Sequence, residues 1–182
     1  MQAMLVLRFL DELQVYHPET YYHSRAVLTY SLRIGECLGL PEEMREDLET
    51  AAVLHDIGKL IIPLEILNET GKLTDMQYAI IKQHPLYGYN LLHLTGFNQD
   101  ICEAVRDHHE RCDGCGYNKR TEFSLIAKII CVADAFDAMQ SDRPYSSALS
   151  PREIRDELMS NAGTQFDKEI SALACRFLEG DN

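Results

Sequence analysis

Five of the seven histidines in this chain fall where a helix-like apolar stripe ends. His55 and Asp56 are adjacent after the run Ala51-Ala52-Val53-Leu54, and Gly58 follows as a helix stop, since glycine accepts the backbone angles that a helix end needs. A neutral imidazole beside a carboxylate at the end of a buried helix is costly unless something pairs with both. A divalent metal is the simplest partner, because it takes nitrogen and oxygen ligands together. For one dipeptide, an ion-paired or capping His-Asp in a packed core is the plainer alternative. The remaining chain weighs against it, because Glu19, His23, His84, His108, His109 and Asp134 also lie at or near the inward ends of apolar stripes. Five imidazoles and three carboxylates exceed one tetrahedral zinc site and suit two or three octahedral ions such as iron or manganese. Clustered ions of this kind serve phosphoester hydrolysis by generating hydroxide at neutral pH and by stabilising both the attacking and the leaving oxygens.

The elements that must position these groups read as helices throughout, so the fold class is all-α. Residues 1–15 place Leu5, Phe9 and Leu13 on one face. Pro18 suits the first turn of a second helix, whose stripe is Glu19, His23, Val27, Tyr30, Ile34 and Leu38. Pro41 opens a third, with Met44, Leu48, Ala52 and His55 at helical spacing. Residues 60–73 read as an extended link and a turn. Thr74 and Gln77 form a capping box, Ile80, Ile81 and His84 face inward, and Pro85 breaks the helix there. Asn98 caps a helix carrying Ile101, Ala104, Val105 and His108, and Ser124 begins one carrying Ala127, Ile130, Cys131 and Asp134. A capping box at Ser150 and Glu153 opens a helix to about Asn161, and a last one spans roughly 167–179. His17 and His93 read as surface or capping residues. Cys112-x-x-Cys115 lacks the second ligand pair of a closed zinc site and reads as two loop thiols.

At 182 residues the chain reads as a single domain, with 1–15 a packing helix, 16–140 the metal-site core and 141–182 the C-terminal helices. A net charge of -12 argues against a DNA, RNA or anionic-membrane partner, which needs a basic face. It leaves room for a small anionic substrate at a metal site. No apolar run approaches a membrane span, and the N-terminus lacks a signal-peptide pattern. Six scattered cysteines point to a reducing cytoplasm.

The order His23, His55-Asp56, Asp134 resembles that of the HD superfamily of metal-dependent phosphohydrolases. The fuller set resembles its HD-GYP branch: His55-Asp56-Ile57-Gly58-Lys59, Ile62-Pro63, Lys82-Gln83-His84-Pro85, His108-His109-Glu110, Asp113-Gly114, Gly116-Tyr117, Val132-Ala133-Asp134-Ala135-Phe136-Asp137-Ala138-Met139, Ser141-Asp142-Arg143-Pro144-Tyr145 and Gly163-Thr164-Gln165-Phe166-Asp167. The resemblance implies a helical bundle around a bi- or trinuclear centre; single motifs of this kind give many false positives, but this many in register do not. It implies hydrolysis of the bacterial second messenger cyclic di-GMP to pGpG and/or GMP, by a hydroxide that bridges the metals. His23, His55, Asp56, His84, His108, His109 and Asp134 would be ligands, with Asp56 bridging, and Glu19 would serve a third ion. The ions would be iron or manganese. Lys59, with Asp56 a catalytic residue, would touch a substrate phosphate or the leaving oxygen, Arg143 would hold another phosphate, and Tyr117 would contact the substrate.

The chain departs from the branch's pattern at three places. Asn118 stands for the signature proline, Ser146 and Ser147 stand for basic residues, and the loop between Tyr117 and the Asp134 helix is a few residues short. The ligand set is complete and the substrate rim altered. Cyclic di-GMP phosphodiesterase is therefore read beside two alternatives: a phosphohydrolase of another cyclic dinucleotide or nucleotide, and a non-catalytic signalling module that keeps its metals. The family usually carries a sensory or receiver domain ahead of this part; 182 residues leave no room for one, and such a domain or a second copy would be a partner.

Overall fold

The structure is a computed structural model that describes residues 2–141 and 147–179. It contains ten α-helices and two 3-10 turns, with no strand among the described residues. In chain order these are α1 (Gln2–Tyr16), α2 (Pro18–Cys37), α3 (Glu42–Leu54), a 3-10 turn (Ile57–Ile61), α4 (Leu64–Leu67), α5 (Asp75–Ile81), α6 (His84–Leu94), α7 (Gln99–Asp107), α8 (Leu125–Gln140), α9 (Pro151–Ser160), α10 (Lys168–Arg176) and a 3-10 turn (Phe177–Glu179). No described helix is long and apolar enough to cross a membrane.

Caps written in the sequence set most boundaries. Thr74 with Gln77 and Ser150 with Glu153 form complete capping boxes. Asn98 and Ser124 accept the amides of Ile101 and Ala127. Pro18 and Pro151 occupy first turns, where a missing N–H costs nothing. α2 is the axis of the bundle and packs on α1, α3, α8 and α10, while α6 lies on α7 and on the 3-10 turn that follows His55-Asp56. The apolar stripes meet at Leu13, Val27, Ile34, Leu48, Leu54 and Ile130, all fully buried. The α9–α10 pair covers the far side of α8 through Ile154, Leu158 and Ile170.

Three local expectations change. The stretch after Lys59 is not simply extended, because the 3-10 turn runs to Ile61 and α4 adds one helical turn before the loop. α5 buries no residue fully, so Ile80 and Ile81 are only half-buried. Gly58 is no left-handed helix stop: among the described residues, the glycines with positive φ are Gly39, Gly96, Gly114 and Gly163. Its requirement is space. A Cβ on Gly58 would run into the His84 carbonyl and the Gly88 amide, so the turn carrying Asp56 presses backbone to backbone against α6. A Cβ on Gly88 would meet mainly the Val105 side chain, 2.8 Å away, which can turn aside.

Gly58→Ala is therefore expected to destabilise the fold by about 2 kcal/mol or more, at the upper part of the overpacking range, and by clearly more than Gly88→Ala. Urea denaturation of both variants checks this, and equal losses would contradict the backbone contact.

Candidate metal centre

Three histidines reach the centre by the same local device. A helix leaves its last four carbonyls without intrahelical donors. His55, just past α3, donates Nδ1–H to the Ala52 carbonyl at 2.8 Å. His84, three residues beyond the end of α5, does the same to Ile81 at 2.8 Å. His108, just past α7, does so to Val105 at 2.7 Å. A carbonyl only accepts, so the proton sits on Nδ1 and Nε2 turns a lone pair inward. The three imidazoles thus satisfy helix ends and present acceptors to one buried space.

Those acceptors converge. His84 Nε2 lies 3.3 Å from His108 Nε2 and 3.1 Å from Asp56 Oδ1. His55 Nε2 stands 3.4 Å from Asp56 Oδ2, buried and without a hydrogen bond. Asp56 is 2% exposed, and its other close partner is the Lys59 ammonium, 2.6 Å from Oδ2. Burial opposes its ionisation, but the Lys59 ammonium holds the carboxyl well below its usual range. His108 is fully buried, and burial together with its neighbouring imidazoles pushes it far below the ordinary histidine value. Burial and then His84 push His109 down to about 3. Neutral nitrogens and an ionised carboxylate facing one another at these distances repel unless a cation lies among them.

The second half of the cluster comes from α2 and α8. His23 Nε2 is 3.0 Å from Asp134 Oδ1 and 3.8 Å from Asp56 Oδ2, while its Nδ1 is 2.7 Å from Asp137 Oδ2. Burial pulls this imidazole down, but the bonds to Asp134 and Asp137 outweigh it and raise it to about 9, so binding an ion at Nε2 releases its proton. Burial likewise opposes ionisation of Asp134, and His23 outweighs it, keeping the carboxyl well below its usual value. His109 brings Nδ1 to 3.9 Å from Asp134 Oδ2 and stacks between His108 and Tyr117.

Three groupings have ligand atoms within 4.8 Å of one another: His84, His108 and His109; His23, His55 and Asp134; and His55, Asp56 and His108. The donor set fits several hard or borderline divalent ions sharing ligands, and the orphaned Nε2 of His55 is the local sign that one is expected. The structure thus brings together seven of the eight residues expected from sequence. Glu19 is the exception: it is exposed and lines the cavity above the cluster without joining any grouping. Arg143, like Ser146, lies outside the described residues. Lys59 and Tyr117 line the cavity, whose volume is about 810 Å³. Cys112 and Cys115 are free thiols outside these groupings.

Two groups were missed as site residues. Asp137 orients His23, and its signal was available: it follows Asp134 by three positions on the same helix face. Glu110 is fully buried and accepts the amides of Asn118 and Arg120 at 2.6 and 2.7 Å, so it shapes the loop that carries Tyr117. Asn118 needs no proline's rigidity there, because its own amide is part of that anchor. His17 caps α2 as expected but is buried, not at the surface. Its Nδ1 accepts from Thr20 N–H, so it holds the opposite tautomer to the cluster histidines and offers no Nε2 lone pair.

Asp137→Ala is expected to weaken binding of divalent ions by about 10- to 100-fold, because His23 loses the partner that orients it. Competition against a fluorescent chelator measures this, and an unchanged affinity with intact helicity would contradict the role.

The comparisons agree with this geometry. The HD domain family profile matches residues 9–170. A cyclic di-GMP phosphodiesterase of Thermotoga maritima is 38% identical over 173 residues, covering 91% of this chain and 46% of that protein. The 3'3'-cGAMP-specific phosphodiesterase 2 of Vibrio cholerae is 32% identical over 174 residues, covering 93% of this chain and 33% of that protein. The chain therefore spans less than half the length of either relative. Among solved structures, an HDG"Y"P protein of Bdellovibrio bacteriovorus superposes with a TM-score of 0.73 at 21% identity, over 87% of this chain and 52% of that one, a likeness of fold. The chain belongs to the HD domain family, in its HD-GYP branch.

Proposed function

We propose that this chain is a metal-dependent phosphodiesterase that hydrolyses cyclic di-GMP to pGpG and/or GMP. The observation that carries the reading is the meeting of inward lone pairs, with His84 and His108 Nε2 3.3 Å apart beside Asp56. Asp56 and His84 line a cavity of about 810 Å³, within the roughly 300–1,000 Å³ of ligand clefts. The similarity to phosphodiesterases of two cyclic dinucleotides supports the substrate class.

In this reading His23, His55, Asp56, His84, His108, His109 and Asp134 hold two ions. Asp56, whose two oxygens face different imidazoles, would be the ligand common to both. Glu19, at the cavity wall, serves a third ion. Iron or manganese suits this mixture of donors. Bound there, such ions supply Lewis acidity and a water of lowered pKa.

The protein's own groups do the rest. Lys59 is one-fifth exposed, is anchored on Asp56, and turns its ammonium to the cavity, where it offsets charge building on the phosphoryl oxygens. Tyr117 packs on His109, and burial and then the Tyr78 hydroxyl raise its phenol, so it stays a neutral donor to substrate. Arg143 is assigned the second phosphate, a role suited to a planar guanidinium. The six free thiols fit action in the cytoplasm, and a sensory or receiver domain or a second copy supplies control. The hybrid 3'3'-cGAMP is the second reading, favoured by the Vibrio relative and by the altered residue Asn118 in the loop beside the cavity.

Anaerobically loaded protein is expected to convert cyclic di-GMP to pGpG or GMP, resolved by chromatography. Asp56→Ala is expected to reduce turnover to background while circular dichroism stays helical. Unchanged turnover in that variant, or no product with ions confirmed bound, would overturn the reading.

A further inference from the structure

The cavity floor is built of carboxylates and imidazoles, which suits phosphates and offers nothing to a base. Among the described residues, its wall carries one aromatic ring with open surface. Tyr22 lies on α2, immediately before His23, lines the same cavity and is 63% exposed. Tyr117, also on the wall, has its ring committed to His109 at 4.5 Å between centroids. An exposed tyrosine alone needs no explanation. This one is braced: Tyr21 meets it edge-on at 5.2 Å, and the Tyr21 hydroxyl in turn accepts from Arg25 at 3.1 Å. One turn further along α2, the lining residue is Ala26, too small to cover the ring. Tyr22 thus places an exposed aromatic ring on the cavity wall, one residue from the candidate ligand His23.

We propose that Tyr22 is the base-stacking platform of this site, taking one purine of the bound dinucleotide on its face. The role rests on the reading of the cavity as a cyclic dinucleotide phosphodiesterase site. Stacking a base on an aromatic ring is sequence-tolerant, since every base has a π face, and its loss typically costs tenfold or more in affinity. Tyr22 contacts substrate away from the reacting phosphorus, so its removal acts on binding.

The test is steady-state kinetics of metal-loaded wild type, Tyr22→Phe, Tyr22→Leu and Tyr22→Ala with cyclic di-GMP and with 3'3'-cGAMP. The expected result is a KM raised about tenfold for Leu and Ala, kcat within about twofold, and most of the affinity restored by Phe. Equal metal content across the set shows that His23 is undisturbed. An unchanged KM for Ala overturns the platform. A Phe variant as weak as Ala assigns the contact to the hydroxyl and overturns stacking, and a Leu variant as good as wild type reduces it to apolar contact. Wild-type protein that hydrolyses neither dinucleotide overturns the enzyme reading itself, and this role falls with it.

Discussion

Each of three helix ends in this bundle has a carbonyl that needs a donor, and each finds it in an imidazole three residues on. That bond satisfies the backbone, and it also decides the chemistry. Because Nδ1 is committed outward, Nε2 must face inward as a lone pair. Repeated at α3, α5 and α7, the device aims three acceptors at Asp56. The arrangement is electrostatically unsatisfied by the protein alone, and the negative ends of three helix dipoles reinforce its preference for cations. The contrast with His17 is instructive. There the ring accepts a helix-start amide, its proton moves to Nε2, and the same residue type is excluded as a ligand.

The rest of the fold holds this convergence in place. The glycine at position 58 lets the Asp56 turn lie against the α6 backbone, which brings His84 to the carboxylate. α2 and α8 pack side by side, so His23 meets Asp134 and Asp137 across their interface. The ligand candidates thus gather where apolar stripes end, against a core of Leu13, Val27, Ile34, Leu48 and Ile130. The catalytic proposal asks little of side chains beyond this. Lys59 is positioned by the carboxylate it leans on, and the ions carry the demanding chemistry.

Most of the site was legible in the sequence because polar groups on apolar stripes are costly and therefore conspicuous. His55, His84 and His108 stood at stripe ends, and Asp134 interrupted an apolar helix face. The all-α class and the caps at Thr74, Asn98, Ser124 and Ser150 were legible for a similar reason, since capping chemistry is local. What escaped depends on tertiary approach. Gly58 was read through backbone angles, whereas its need is room against α6. Glu19 shares the stripe of His23, yet it is exposed while Thr20 beside it is buried. The role of Asp137 depends on His23, which meets it from α2 across the interface.

The most direct test of the central claim is the metal content of anaerobically loaded, desalted protein, counted by mass spectrometry against protein concentration. The convergence of the three ligand groupings predicts two or three divalent ions retained per chain. Folded protein that retains less than one would mean that these lone pairs are settled by protons, and would contradict the account.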